Sequence, residues 1–252
     1  MGVTREPYQG VKNIVRFNWH FYLIFILLSP LLLVLLNVFL SLKISLLIIL
    51  LLVIPVFVSL VISHWIYDRS VLYELNYLDE IDISERDSVI NINAGFDETS
   101  RLLLEKLPGI SLKVFDFYNP KTHTEPSIKR ARKAYPPYEG TRAISTSKIP
   151  LEDASVDVAI LMLSAHEIRQ TGERLVFFKE VYRALKFDGH LVVVEHLRDL
   201  PNFLAYTIGF FHFFSRKSWM TIFEKSNFEL SKEIKITPFV STFILKKHGT
   251  SS

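Results

Sequence analysis

The chain has 252 residues, a formal net charge of +3, 49% apolar and 22% charged residues, and no cysteine. Without cysteine there is no disulfide framework and no thiolate metal centre, and so mild a charge leaves no electrostatic footprint for nucleic acid. The apolar excess is uneven, with most of it in the first quarter of the chain.

Residues 1–19 are short and moderately basic, with Arg5, Lys12 and Arg16 against Glu6. Residues 21–42 then run for 22 positions without a charge, and residues 44–63 for 20 more, with only Lys43 between them. As a helix each run covers about 30 Å, enough to cross a bilayer. With a tight turn over 41–45 the pair is expected to form a transmembrane hairpin, making residues 1–70 an anchor and 71–252 a separate domain. Pro30 and Pro55 lie inside the spans, where they can kink a helix without excluding it. Trp19 and Tyr22 at one end, and Trp65 and Tyr67 at the other, suit an interfacial aromatic belt on one side of the membrane. A cleaved signal peptide fits poorly, because the apolar region is too long and is doubled. Three basic residues precede the first span and Arg69 follows the second, which predicts both termini and the following domain in the cytoplasm.

Residues 71–87 read as a connector, with one or two helical turns over Tyr73-Glu-Leu-Asn-Tyr-Leu78. From residue 88 the pattern alternates. Strands are expected at 88–93, 112–116, 141–145, 156–162, 190–195, 229–236 and 240–246, and helices at 97–107, 126–134, 170–186 and 216–226. Such alternation implies an α/β fold, a Rossmann-like seven-stranded and mostly parallel sheet. The last two strands are joined by Thr237-Pro238 with no helix between them, so an antiparallel final strand is expected.

The stretch Val89-Ile-Asn-Ile-Asn-Ala-Gly-Phe-Asp-Glu-Thr-Ser100 reads as strand, tight turn and helix start, the first unit of a nucleotide-binding sheet. Asp116 ends the second strand, where a carboxylate can accept hydrogen bonds from ribose hydroxyls. Further on, Ile149-Pro-Leu-Glu-Asp-Ala-Ser-Val-Asp-Val-Ala-Ile-Leu-Met-Leu163 leads from a polar turn into an apolar strand. Glu180-Val-Tyr-Arg-Ala-Leu-Lys-Phe-Asp-Gly-His-Leu-Val-Val-Val-Glu195 gives a helix end, a glycine turn and another apolar strand.

Together these segments resemble the class I S-adenosylmethionine-dependent methyltransferases of the small-molecule type, over roughly residues 71–247. That family commonly ends its helix in R-L-K-P-G-G, and Arg183-Ala-Leu-Lys-Phe-Asp-Gly189 stands in that place. The resemblance implies S-adenosylmethionine as cofactor, held by Asn91, Asn93, Ala94 and Gly95 of the first loop. It places ribose at Asp116 and Phe117, adenine near Ser145 and Thr146, and the methyl-transfer face at Leu163. One departure is marked: the family's D-x-G-x-G-x-G is here Asn91-Ile-Asn-Ala-Gly-Phe-Asp97. It keeps one glycine and brings Phe96 and Asp97 to the cofactor's approach.

Ser164-Ala-His166-Glu167-Ile-Arg169 follows the fourth strand and Glu195-His196-Leu-Arg198-Asp199 follows the fifth. Both clusters should lie at the sheet's C-terminal edge. His166, then His196, is the expected proton acceptor. Glu167, Arg169, Glu195, Arg198 and His212 are the expected substrate contacts, although the same residues could instead be ion pairs that lock loops. Two histidines with acids could also form a metal site, although no tight ligand spacing calls for one. Phe203-Leu-Ala-Tyr-Thr-Ile-Gly-Phe-Phe-His-Phe-Phe214 is too short to span a bilayer; the resemblance implies an apolar lid over the substrate pocket, with a dip into the membrane interface or an aromatic core helix as the alternatives. The basic run Lys129-Arg-Ala-Arg-Lys133 reads as a solvated helix face. The expectation is therefore a membrane-anchored methyltransferase acting on a quinone, isoprenoid or lipid. The rival is a cofactor-degenerate pseudoenzyme that serves as a membrane-bound binding protein.

Overall fold

A computed structural model describes residues 5–123 and 125–249. The chain opens with a short helix, α1 (Gln9–Phe17), followed by two long apolar helices, α2 (Trp19–Phe39) and α3 (Leu42–His64). Both are long and apolar enough to cross a membrane, and almost none of their residues is buried by the rest of the chain. Pro30 and Pro55 sit inside them, as expected. Short turns over Trp65–Arg69, Val71–Glu74 and Asn76–Glu80 lead into the sheet.

The sheet has seven strands: β1 (Ser88–Asn93), β2 (Ser111–Asp116), β3 (Arg142–Ala143), β4 (Val156–Met162), β5 (Leu185–His196), β6 (Phe228–Thr237) and β7 (Val240–Lys247). Their spatial order is β3-β2-β1-β4-β5-β7-β6, and β7 alone runs antiparallel to its neighbours. The crossovers carry α4 (Ser100–Lys106), α5 (Pro126–Ala134), α6 (Thr171–Ala184), and then α7 (Leu200–Tyr206) with α8 (Arg216–Lys225). The expected seven-stranded Rossmann-like sheet is therefore present. Order reverses at the β1/β4 boundary, and a sheet of this kind opens its crevice beyond the strand ends there.

Side chains alternate between two cores, because successive strand residues point to opposite faces. Ala159, Leu161, Leu191 and Val193 join Phe177, Phe178, Trp219 and Phe223 from α6 and α8. Val158, Ile160, Val192 and Val194 join Ile66, Leu72, Leu75 and Leu78 from the turns that follow α3. The segment that follows α3 thus covers one face of the sheet. The expected boundary at residue 70 does not divide the packing, because Ile66 is fully buried in the sheet's core.

Helix α1, which the basic composition of residues 1–19 does not announce, is clamped to the same segment. The Asp68 carboxylate accepts from the N–H groups of Gly10, at 2.6 Å, and Val11, at 3.1 Å. An acid at a helix N-terminus satisfies orphan donors and complements the helix dipole. Gly10 is required by closeness, since a Cβ there would stand 2.3 Å from the Cβ of Tyr67. Arg5 pairs with Glu98 at 3.0 Å, and the hydroxyl of Tyr135 donates to Asn13 at 2.9 Å. The helix therefore lies across the C-terminal edge of the sheet.

Candidate active site

A cavity of about 240 Å³ opens at that edge. The ends of β1 and β4 supply Asn91, Asn93, Met162 and Leu163, and the end of β5 supplies His196. Helix α1 roofs it with Asn13 and Phe17, while Tyr67 and Tyr73 enter from the segment after α3. A smaller cavity of about 180 Å³ shares Phe17, Phe96 and Leu163 and adds Ala94 and Glu167. Leu163 holds φ at +50°, a conformation unusual for a branched residue and concentrated at functional sites.

The loop after β1 departs from the expected crowding. The Asp97 carboxylate turns inward and accepts from the N–H groups of Thr99 (2.9 Å) and Ser100 (3.0 Å), so it caps α4. Helix α4 consequently starts at Ser100 rather than at residue 97. The amide of Asn91 donates to Thr99 and Ser100, both at 2.9 Å. Phe96 stands against Phe17 at 5.7 Å and Tyr135 at 5.3 Å between ring centroids, part of the seal between α1 and the loop. Gly95 has φ +94° and its N–H donates to the side chain of Asn93. The amide nitrogens of Asn93 and Asn13 are buried with no hydrogen-bond partner among the described residues. Both residues line the one cavity.

Asp116 is buried at the tip of β2, as expected, but it is engaged. It accepts from the N–H of Tyr118 and forms an ion pair with Arg132 of α5. The guanidinium of Arg132 also lies over Gly95, within 2.6 Å of where a Cβ would be. The basic helix is therefore not merely a solvated face. Phe117 is fully buried against Phe177, so its ring belongs to the core. Ser145 bonds Ser147, and Thr146 donates to Glu173 of α6. Neither lines the two cavities at the strand ends.

The two clusters after β4 and β5 do meet. His166 Nδ1 lies 2.7 Å from the fully buried Glu195 carboxylate. Burial opposes charge on His166, but Glu195 and Glu167 outweigh it and push its pKa up to about 10. The two carboxylates thus favour the imidazolium form of a ring expected from the sequence to act as a free base. Burial also opposes charge on Glu167, yet hydrogen bonds from His166 and His212 hold it well below the carboxylate range.

His196 has the opposite environment. Burial dominates and pushes its pKa down to about 4. Its Nδ1 is 2.9 Å from the carbonyl of Phe239, which can only accept, so the proton sits on Nδ1. Nε2 then accepts from the hydroxyl of Tyr67 at 2.7 Å. The result is a neutral imidazole of fixed tautomer that carries a phenol into the cavity. Tyr67, expected in an aromatic belt, lines the cavity.

Arg169 and Arg198, expected as substrate contacts, clamp the lid in this structure. Arg169 donates to the carbonyls of His166 (3.1 Å) and His212 (2.5 Å), and Arg198 to that of Phe211 (2.7 Å). Glu195 is likewise spent on His166, since its second oxygen accepts the backbone N–H at 3.1 Å. The lid, α7 with the turn Thr207–His212, packs against α3. Leu200, Leu204, Ile208 and Phe211 nonetheless remain exposed, Ile208 at 82%. Sequence patterning missed Asn13, Phe17, Tyr67, Tyr73 and Glu98. The aromatic flanks of the spans were the only signal for any of them.

Residues 122–193 match the sequence profile of the methyltransferase domain family. The chain is similar in structure to a geranyl diphosphate C-methyltransferase from Streptomyces coelicolor A3(2), solved with Mg2+, geranyl diphosphate and S-adenosyl-L-homocysteine. The two are 12% identical, with 75% of this chain and 83% of that one covered and a TM-score of 0.53. It is also similar to the PH0226 protein from Pyrococcus horikoshii OT3, at 17% identity, 70% and 88% coverage and a TM-score of 0.52. A SAM-dependent methyltransferase from Aquifex aeolicus aligns over 76% of this chain and 97% of its own, at 17% identity and a TM-score of 0.49. No curated protein matches the sequence.

Proposed function

We propose that this chain, a class I S-adenosylmethionine-dependent methyltransferase by its fold and by its methyltransferase-domain match, methylates an apolar acceptor held in a lipid bilayer. One observation carries this reading. The cavity at the sheet edge is walled by residues from both flanks of the apolar hairpin, Asn13 and Phe17 before it and Tyr67 and Tyr73 after it. A mere tether would not need to build the site. The exposed apolar lid packed on α3 supports entry of the acceptor from the same side, since contiguous apolar surface marks membrane or ligand contact. A quinone, an isoprenoid or a lipid head group would suit it. The hairpin then crosses the membrane with the methyltransferase domain in the cytoplasm.

The residues present suit the cofactor at its methionine end. The unpartnered amides of Asn13 and Asn93 and the Gly95 turn would hold that end, and Asp116 the ribose hydroxyls once Arg132 withdraws. When bound, S-adenosylmethionine supplies an electrophilic methyl group on a sulfonium. The protein has to align the acceptor, exclude water and accept a proton if the nucleophile carries one. His196 is the proton acceptor in this reading. The acceptor's proton passes to the Tyr67 oxygen as the Tyr67 proton moves to His196 Nε2. Phe17, Phe96 and Phe213 keep water out.

The rival reading, a binding protein with a closed cofactor site, draws on the Arg132–Asp116 pair. Calorimetry of the full chain in detergent separates the two. The wild type is expected to bind S-adenosylmethionine in the micromolar range. Asp116→Ala should lose binding, because ribose hydroxyls lose their acceptor. Arg132→Ala should bind about 10-fold more tightly, because the competing cation is gone. No binding by wild type or by Arg132→Ala would favour the rival.

A further inference from the structure

We infer that His166, Glu167 and His212 form a binding site for a zinc-type divalent cation, which clasps the aromatic lid to the loop after β4. One ligand atom from each of the three lies within 4.8 Å of the others. Glu167 Oε1 is 3.4 Å from His166 Nε2 and 3.6 Å from His212 Nε2. Ligand atoms around a tetrahedral ion with bonds near 2.0–2.1 Å stand about 3.3 Å apart, so both pairs with Glu167 are already near that spacing and the two imidazoles, within 4.8 Å, have to close on the ion.

The surroundings are those of a built site. A metal-bound histidine ordinarily gives its other ring nitrogen to a carboxylate, which fixes tautomer and ring orientation. Here that arrangement occurs twice. His166 Nδ1 is held at 2.7 Å by Glu195, itself fully buried, and His212 Nδ1 faces Glu125 at 3.5 Å. Both Nε2 atoms are thereby left for Glu167. Arg169 grips the carbonyls of His166 and His212 together, so the two ligating segments are already joined through their backbones. An ion would replace the proton that otherwise stands between these carboxylates.

Two imidazoles and one carboxylate form the donor set of a zinc ion with a position left open. His166 lines the main cavity and Glu167 the smaller one, so the open position serves an oxygen of the acceptor. The proposal goes beyond the methyltransferase reading and needs no bound cofactor, so zinc binding and S-adenosylmethionine binding can fail separately.

The test uses the full chain in detergent, stripped with chelator and titrated with zinc chloride by calorimetry, with elemental analysis after gel filtration. One equivalent is expected. His212 is half-exposed on the lid, so His212→Ala should fold normally, and it is expected to weaken zinc binding at least about 100-fold. Glu195→Gln keeps its size but not its charge and should weaken binding about 10–100-fold, the effect of losing a partner behind a metal ligand. His248→Ala, at an exposed histidine in the turn after β7, should change nothing. Substoichiometric zinc, or wild-type affinity in both His212→Ala and Glu167→Gln, would overturn the site. An equal loss in His248→Ala would do so too, by assigning uptake to surface histidines.

Discussion

A chain that starts at Val71 is expected to lose S-adenosylmethionine affinity at least about 100-fold and to melt roughly 10–20 °C below the full protein. The cause is packing, not membrane attachment. Removing residues 1–70 strips Ile66 from the core beneath β1, β4 and β5, and strips Phe17 and Tyr67 from the cavity wall. Each buried apolar side chain stabilises by about 1.5–3 kcal/mol. Two or three of them make up a large part of a total stability of about 5–15 kcal/mol. At roughly 2–4 °C per kcal/mol for a domain of this size, the shift in melting follows. Gly10→Val tests the same idea without truncation. Its Cβ would collide with that of Tyr67, so α1 should lift and cofactor affinity should fall while the sheet stays folded. Differential scanning fluorimetry and calorimetry on the three proteins give the answer. A Val71 fragment that binds and melts like the full chain would show that the flanks do not build the site.

Tyr67→Phe is expected to lower methyl transfer into a lipid extract about 100-fold with cofactor affinity unchanged, the scale of a lost proton-transfer group. Labelled cofactor gives the readout, and an unchanged rate would remove the Tyr67–His196 pair from the mechanism. His196→Gln adds a pH test. In the native protein His196 has a pKa near 4, pushed down by burial, against about 6.5 when unfolded. Between these values the unfolded chain binds the extra proton, so stability is present above pH 6.5 and is lost as pH falls toward 4. The full loss is about 3 kcal/mol, at 1.36 kcal/mol per pKa unit. Asn202, His166, the Phe239 carbonyl and Asp199 also act on this ring, and Tyr67 and Tyr206 touch it, so the informative quantity is the difference between wild type and variant. His196→Gln should flatten the melting curve against pH across that window.

Much of the fold was legible because its strands carry a two-residue period and its connections carry helix signals. β1 and β4 fall at 88–93 and 156–162, and α5 at 126–134, as the pattern predicts. β5 begins at Leu185 instead of residue 190, since Lys186 and Asp188 hide its start behind a polar run. β3 is only Arg142–Ala143, because pairing with β2, not local propensity, decides how much of 141–145 is strand. The meeting of the clusters after β4 and β5 followed from topology alone. What could not be read were contacts across long separations. Nothing local ties Tyr67 to His196 or Arg132 to Asp116. His212 stands far in sequence from His166 and Glu167, so no ligand spacing existed to find.

Arg169 and Arg198 hold the lid through carbonyl oxygens, and every residue has one. Those two clamps do not depend on the side chains at the outward positions, while the inward Asn202, Ala205 and Phe213 stay packed. The lid's outward row of Leu204, Ile208 and Phe211 is free to be exchanged for other shapes without loosening the closure. Sequences sharing this framework could diverge in acceptor preference by changing those positions alone, so the lid separates what must stay fixed from what can be retuned.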